Sequence, residues 1–204
     1  MAEIFDEHSA TNLYFDKYFN TQAVKLLPGE YYVTKKDILL VTVLGSCVAA
    51  CIRDRQSGFG GMNHFMLPEN GSNSDLPLNP SARYGTYAME ILINQLLKLG
   101  ARRTNLEAKV FGGGNVISGL TIANVGQRNA DFVLNFLETE NIPVTAQDLV
   151  DIYPRKVYFF PKANRVLVKK LMSVRNNTIT EREKDYGKQL NKSTSKGGEV
   201  ELFS

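Results

Sequence analysis

Residues 38–53, with the sequence ILLVTVLGSCVAACIR, decide how this chain of 204 residues folds. The first seven of them are continuously apolar and rich in β-branched side chains, which is typical of a buried strand. Gly45 and Ser46 end this strand, and the small apolar residues after them favour a short helix packed on the sheet. A second apolar segment, FGGMNHFML at residues 59–67, predicts the next strand, and its glycines allow another backbone to approach closely.

Six further segments carry the apolar and β-branched pattern of strands. They are residues 23–27, 30–34, 106–111, 143–150, 156–160 and 165–171. Helical spacing of apolar side chains predicts two long helices, over residues 81–99 and 126–140. Because strands outnumber helices and the two do not alternate strictly, we expect an α+β fold, a β-sandwich or mixed sheet layers flanked by helices.

The length of the chain is that of one ordinary domain with some additional tail. Residues 1–22 are polar with scattered aromatic side chains, and they predict a loosely held N-terminal arm. Residues 23–175 carry the predicted elements and form the single domain. Residues 176–204 are polar and charged, and we expect them to be disordered. By default, we expect a monomer.

No signal peptide is recognisable, and no stretch approaches the roughly 18 apolar residues that a spanning helix needs. We therefore expect a cytoplasmic protein whose two cysteines, Cys47 and Cys51, are free thiols. Residues 101–204 carry 16 Lys or Arg against 11 Asp or Glu. A cluster of basic residues between positions 155 and 175 is interpreted as a solvated hairpin face, with a patch that steers an acidic partner as the alternative. Nucleic-acid binding is disfavoured, because no recognised motif accompanies this charge.

Cys47 directly follows the Gly-Ser break and would open the predicted helix. A thiol at a helix N-terminus lies near unpaired N–H groups and the positive end of the helix dipole, which lower its pKa below the free value of about 8.5. The same N–H groups can stabilise an oxyanion that forms on a substrate carbonyl. Cys51 lies one helical turn later, and we interpret it as a packing residue.

A thiol nucleophile needs a base, and the chain contains two histidines. His8 lies in the predicted arm, whereas His64 lies on the strand after the Cys47 segment and can return beside the thiol. Thr42, near the end of the preceding strand, is the best-placed hydroxyl to orient the imidazole. Asn63 is a weaker candidate, because neighbours on a strand point to opposite faces.

Other interpretations of these residues stay open at this point. Cys47 can be a small core residue, and His64 can be a hydrogen-bonded core residue. A zinc site formed by Cys47, Cys51 and His64 is disfavoured, because no second ligand pair with finger-like spacing exists, and we predict no metal. The glycine run at residues 112–115 is a tight turn or part of a site, but it is not a P-loop, because no Gly-Lys-Ser/Thr follows it.

Four ordered motifs resemble the signature of the chemoreceptor glutamine deamidase family, CheD. They are LGSCVAAC at residues 44–51, GGMNHFMLP at 60–68, AKVFGGGN at 108–115 and NVGQRN at 124–129. The resemblance extends over roughly residues 25–172.

This resemblance implies that Cys47 is the nucleophile, His64 the base and Thr42 the third catalytic residue. It implies deamidation of glutamine side chains on methyl-accepting chemotaxis receptors through a thioester, with release of ammonia and without a cofactor. The implied fold is that of the catalytic domain of cytotoxic necrotizing factor toxins. The implied partners are the receptors, as substrate, and a CheC-type phosphatase. Predicted substrate contacts are Ser46, Asn63, Gly113, Gly114 and Asn115.

Two other functions fit the same residues. A non-catalytic adaptor would bind chemoreceptors or a CheC-type phosphatase without turnover, and an intact pair of Cys47 and His64 favours the enzyme over it. A cysteine hydrolase acting on receptor methylesters, or on a toxin-like target, would use the same acyl-transfer groups, so the residues alone do not separate amide from ester.

Overall fold

The computed structural model describes residues 9–68, 80–116, 125–172 and 177–195. Almost all of the predicted loop between residues 68 and 80 lies outside the described residues, as does His8. Within the described ranges the fold is α+β, as predicted, with ten strands in two sheets and three α-helices. No helix in these ranges is both long enough and apolar enough to cross a membrane.

The strands, in chain order, are β1 (Asn12–Asp16), β2 (Thr21–Lys25), β3 (Tyr31–Thr34), β4 (Leu39–Leu44), β5 (Val48–Asp54), β6 (Gly60–Asn63), β7 (Leu106–Gly112), β8 (Val144–Leu149), β9 (Arg155–Phe160) and β10 (Arg165–Lys170). One sheet, called the outer sheet here, has the order β1-β2-β4-β9-β10, and the inner sheet has the order β3-β6-β5-β7-β8. Neighbouring strands are parallel at β2–β4 and β7–β8 and antiparallel elsewhere.

The two sheets pack face to face around a shared apolar core. Along β4, Leu40 and Leu44 face this core, while Leu39 and Val41 face the opposite side of the outer sheet. This alternation also directs the even-numbered residue between Leu40 and Leu44 into the space between the sheets.

The segment 48–52, predicted as a short helix, is part of strand β5. Ala49 and Cys51 point into the core between the sheets, while Val48 and Ala50 point to the other face of the inner sheet. Both faces are covered, so every position is apolar, and such a run cannot be told from a buried helix by its periodicity. The helix prediction is therefore wrong here.

Two helices cover the other face of the inner sheet: α1 (Pro80–Lys98) and α2 (Val125–Thr139). Met89 and Leu92 of α1 and Val133 and Leu137 of α2 are buried in a second core against that sheet. The helical spacing of these apolar side chains is the pattern from which both helices are predicted.

Two segments predicted to lack fixed structure contain regular elements. Asn12–Asp16, within the predicted arm, is β1 and pairs antiparallel with β2 at the edge of the outer sheet. Within the predicted disordered tail, Asn177–Ser195 form helix α3. For these two ranges the prediction is wrong, because the contacts that order them come from distant parts of the chain and leave no mark on local composition.

Arg155 departs from the predicted solvated basic face. It is fully buried, and its guanidinium donates to the carboxylate of Asp148 at 2.9 Å and to the backbone carbonyls of Asp148 and Val150. Arg165 and Lys169 of the same basic cluster are exposed, as expected.

Asp54 ends β5 and caps two connections. Its carboxylate accepts hydrogen bonds from the backbone N–H groups of Gln56 at 2.8 Å, Ser57 at 3.0 Å and Arg102 at 2.7 Å. Burial alone would raise the pKa of Asp54, but these hydrogen bonds outweigh it and lower the pKa below the ordinary 3.8. A carboxylate whose folded-state pKa is lowered stabilises the fold above its unfolded-state pKa, and this contribution is lost as the pH falls through the folded-state pKa.

Asp54→Ala is therefore expected to lower the free energy of unfolding by about 2 kcal/mol at neutral pH, because three backbone N–H groups lose their acceptor. The difference from the wild type should shrink in strongly acidic buffer. Urea unfolding at neutral and acidic pH measures both effects, with Asp37→Ala at an exposed position as the control. A destabilisation that is equal under both conditions would contradict the ionic origin of the effect.

Candidate active site

Cys47 lies where the chain crosses from one sheet to the other. β4 belongs to the outer sheet and β5 to the inner sheet, and Gly45–Cys47 connect them. The glycine run after β7 holds this connection, because Gly113 N donates to Cys47 O at 2.8 Å and Gly114 N donates to Gly45 O at 2.7 Å. At Gly112 an added Cβ would lie 2.2 Å from Cys47 O, so only glycine allows this approach.

Asn129 on α2 fixes the same connection from the helical side. Its Nδ2 donates to Ser46 O at 2.8 Å, and its Oδ1 accepts from Leu67 N at 2.9 Å. The side chain is fully buried with both ends of its amide in use. Sequence analysis did not single out this residue. The available signal was an asparagine in the NVGQRN motif that falls on the apolar face of a predicted helix.

His64 follows the end of β6 and is held beside Cys47 by backbone pairing. Phe65 and Val48 form an antiparallel bridge with N–O distances of 2.9 and 3.0 Å. The residues that precede such a pair are diagonal neighbours on one face of the sheet. Cys47 and His64 are these two residues, so the bridge directs the thiol and the imidazole into the same space.

Thr42 reaches the imidazole from the opposite sheet and determines its protonation. Its Oγ1 donates to Leu26 O at 2.9 Å and lies 2.7 Å from His64 Nδ1. A hydroxyl has a single proton, and here Leu26 accepts it, so Oγ1 must accept the second hydrogen bond from Nδ1–H. The neutral ring therefore carries its proton on Nδ1, and Nε2 is its basic nitrogen.

The Nε2 atom of His64 is buried and has no hydrogen-bond partner among the residues that the structure describes. Burial lowers the pKa of His64 to about 4, and the charge of Glu183 and a hydrogen bond with the Leu26 carbonyl offset this only in part. The imidazole is therefore neutral at pH 7, which is the state that a general base requires.

The Cys47 side chain is 0% exposed. Burial is the main cause that raises the pKa of its thiol well above the ordinary value, followed by the charge of Glu183 and a hydrogen bond to that carboxylate. The prediction of a solvent-reachable thiolate at a helix N-terminus is wrong for this structure, because Cys47 precedes a strand and lies in the core. With thiol and imidazole both neutral, a proton must pass from Sγ to Nε2 as the sulfur attacks.

Three backbone N–H groups around the thiol converge on one carboxylate, that of Glu183 on α3. Oε1 accepts from Gly45 N at 2.8 Å and from Cys47 N at 3.2 Å. Oε2 accepts from Ser46 N and from Ser46 Oγ, both at 2.8 Å. Successive N–H groups that point at one spot form a concave site for negative charge. This donor set can serve as an oxyanion hole, although a bend between two strands provides it and not the predicted helix N-terminus.

The Sγ of Cys47, a ring nitrogen of His64 and a carboxylate oxygen of Glu183 lie within 4.8 Å of one another. By distance alone this trio could hold a cation. The electrostatics oppose it, because three N–H dipoles point their positive ends at the same place. The site is built for an anion or for a polarised carbonyl oxygen.

The predicted substrate contacts divide into two groups. Ser46 lies in the site, with its Oγ on Glu183, whereas the amide of Asn63 is used elsewhere. Asn63 Nδ2 donates to Ala88 O at 2.9 Å and its Oδ1 accepts from Ala50 N at 2.9 Å, which ties β6 to α1 and β5.

Gly113 and Gly114 use their N–H groups to hold the Cys47 connection, and Asn115 beyond them is exposed. Cys51, interpreted from sequence as a packing residue, is buried between the sheets, and this burial raises the pKa of its thiol. Of the two cysteines, Cys47 alone lies beside an imidazole and a set of N–H donors.

Together, these groups are the parts of a thiol-based acyl-transfer centre. Cys47 supplies a nucleophile, His64 a neutral base with a free lone pair, and the connection between β4 and β5 a set of N–H donors for a carbonyl oxygen. The fold and site thus define a cysteine hydrolase built on two packed sheets.

Comparison with known proteins identifies the family. The model of the family described as CheD chemotactic sensory transduction matches residues 66–170. Proteins named "Probable chemoreceptor glutamine deamidase CheD" from Janthinobacterium sp. (strain Marseille) and Methylobacillus flagellatus are 64% and 65% identical over 204 residues, which is 100% of each chain compared. A protein of the same name from Thiobacillus denitrificans is 63% identical over 203 residues, again 100% of both chains. The chain belongs to the CheD family, as its four motifs predict.

The hydrogen bonds around Thr42 give a direct prediction for His64. Long-range proton–nitrogen NMR spectra should show the Nδ1–H tautomer at neutral pH, with protonation of the ring only near pH 4, because burial disfavours the imidazolium. Thr42→Val should mix the two tautomers, because it removes the acceptor of Nδ1–H, whereas Thr42→Ser should keep the wild-type spectrum. An Nε2–H tautomer in the wild type would refute the assigned hydrogen-bond directions.

Proposed function

We propose that this chain is a protein-glutamine deamidase that converts glutamine side chains of methyl-accepting chemotaxis receptors to glutamate and releases ammonia. The relatives at 64% and 65% identity carry the name chemoreceptor glutamine deamidase over their whole length. The observation that carries the proposal is chemical. The partnerless Nε2 of His64 lies beside Cys47, under three N–H groups that face one point.

In the first half of the reaction, Sγ of Cys47 attacks the carboxamide carbon of the substrate glutamine while His64 Nε2 takes the thiol proton. The carbonyl oxygen becomes an oxyanion, and the N–H groups of Gly45, Ser46 and Cys47 stabilise it. His64 then gives its proton to the departing nitrogen, so that ammonia leaves and a thioester remains. Thr42 keeps Nδ1 protonated throughout, and Nε2 is therefore always the atom that exchanges the proton.

In the second half, His64 takes a proton from a water molecule that attacks the thioester. The same N–H groups hold the second oxyanion, and its collapse expels Cys47, which recovers its proton from Nε2. The balance is one glutamine and one water consumed, and one glutamate and one ammonia formed. Every proton transfer in this sequence uses His64, so the proposal needs no cofactor.

The proposal includes several finer points. They are a fold like that of the cytotoxic necrotizing factor catalytic domain, one domain over residues 23–175 with β1 and α3 added at its ends, a cytoplasmic monomer, and a CheC-type phosphatase as a second partner. The adaptor alternative would leave the alignment of His64 Nε2 with the thiol without a purpose. The methylester alternative uses the same groups, so the choice of amide rests on the names of the relatives.

Cys47→Ala is expected to abolish ammonia release from purified receptor cytoplasmic fragments, because the nucleophile is lost. Cys51→Ala is the matched control and should leave turnover largely intact, since this thiol only packs between the sheets. Mass spectrometry of the fragment should show a gain of about one dalton per converted glutamine, the difference between an amide and an acid. Wild-type turnover by Cys47→Ala would show that the nucleophile is assigned wrongly.

His64→Ala is expected to stay folded and to lose about a hundredfold or more of the rate, which is typical when a general base is removed. Thr42→Val should lower kcat by a smaller factor, with recovery in Thr42→Ser, since Thr42 acts by orienting the ring. The steady-state rate of ammonia release measures all three variants. A His64→Ala rate within a few-fold of the wild type would remove this residue as the base.

A further inference from the structure

The reacting groups of this site are closed off from solvent. Cys47 is 0% exposed and His64 is 2% exposed. A glutamine side chain and a water molecule must both reach Sγ during turnover, so the closed arrangement cannot complete the reaction. The element that lies against the thiol from outside the two sheets is α3, through Glu183.

The Glu183 carboxylate occupies the position that the reaction assigns to the substrate. Both of its oxygens lie on the N–H groups that would receive the carbonyl oxygen of a glutamine. The fit is tight, since an added Cβ at Gly45 would lie 2.6 Å from Glu183 Oε2. A glutamate side chain is also the product of the proposed reaction, and it is bound here as that product would be.

One face of α3 is fitted to the site around this carboxylate. Glu183, Tyr186, Gly187 and Leu190 follow the helical spacing i, i+3, i+4 and i+7 and therefore share one side of the helix. The hydroxyl of Tyr186 is hydrogen-bonded to that of Tyr84 on α1. Leu190 is buried in the core between the sheets, the same core that contains Cys47.

At Gly187 an added Cβ would lie only 3.2 Å from Met66 Cε, so a small residue suits the close approach of the helix. This contact and those of Glu183, Tyr186 and Leu190 make one continuous docking face.

The remainder of α3 makes the helix easy to release. Glu181, Arg182, Lys184 and Asp185 are exposed, as are other described side chains away from the docking face. The helix has 19 residues and contains Gly187 and several threonines, which are poor helix formers. A helix of this length and composition is marginal when isolated in water, so α3 depends on docking for its order.

We propose that α3 is an intramolecular product mimic that inhibits the enzyme: Glu183 occupies the substrate seat, and release of α3 opens the site to a receptor glutamine. This inference rests on the proposed deamidase function. A carboxylate in the seat is inert, because it carries no amine to expel, and the helix can therefore block the thiol without being consumed. A substrate helix must compete with α3 for the same N–H groups.

The replacement Glu183→Gln tests this directly, because it places a carboxamide in the seat. Cys47 should attack that carboxamide in cis, expel ammonia and, after hydrolysis by water, restore a glutamate at position 183. The purified variant should therefore gain about one dalton over the mass that its gene encodes, located at residue 183 by peptide mapping. The double variant Cys47→Ala with Glu183→Gln should keep the encoded mass, and the exposed Gln189 on the same helix serves as an internal control.

A second full-length variant tests inhibition. Glu183→Ala removes the hydrogen bonds that hold the seat closed, and it should raise both the rate of Cys47 alkylation by iodoacetamide and the rate of receptor deamidation by about tenfold or more. Glu181→Ala on the exposed side of α3 is the matched control and should leave both rates unchanged. Thermal unfolding of both variants checks that they remain folded.

The outcomes separate this inference from the function on which it rests. Self-conversion of Glu183→Gln together with faster turnover of Glu183→Ala supports both. Receptor deamidation by the wild type at the same rate as by Glu183→Ala, with no self-conversion of Glu183→Gln, overturns the product mimic and leaves the deamidase in place. Slower turnover of Glu183→Ala also overturns it, since α3 would then be part of the working site. If neither the wild type nor any variant deamidates a receptor fragment or itself, the deamidase proposal fails as well.

Discussion

The convergence of three backbone N–H groups at Gly45, Ser46 and Cys47 is the constraint on which the rest of the site depends. It exists because the chain leaves one sheet and enters the other within these three residues, so their N–H groups pair with no neighbouring strand. Such donors cannot stay buried without an acceptor. The glycine run after β7 and the amide of Asn129 hold the carbonyls of the same residues, which leaves the N–H groups directed at a single point.

Burial of this point determines the electrostatics of the thiol and the imidazole. In the closed form the pKa of Cys47 is raised and that of His64 is lowered, so both groups are neutral and no ion pair is formed. Thr42 makes the neutral pair directional, since it occupies Nδ1–H and leaves the lone pair of Nε2 on the side of the sulfur. The proton transfer is thus prepared by geometry before any substrate enters. The carboxylate of Glu183 satisfies the N–H donors while the site is closed.

Much of the fold could be predicted from local pattern. The strand Leu39–Leu44, both long helices and the α+β class follow from hydrophobic periodicity and from residues that break it. The assignment failed at β5, because a strand buried on both faces has no alternation to distinguish it from a buried helix. It also failed at β1 and α3, whose order comes from pairing with β2 and from docking against Cys47. For α3 the composition argues for disorder, and a single buried carboxylate with a short apolar stripe reverses that outcome.

The sequence by itself determined the family, through four motifs, and the two side chains able to carry the chemistry, Cys47 and His64. These features are local, since each depends on a few adjacent residues. Only the tertiary structure decided that Thr42 on the other sheet orients the imidazole, that a bend between strands supplies the N–H donors, and that Glu183 fills the seat. Each of these contacts joins residues that are far apart in the chain, 136 positions in the case of Cys47 and Glu183. Distance in sequence carries no information about such a contact until the two sheets and α3 bring the groups within hydrogen-bonding range.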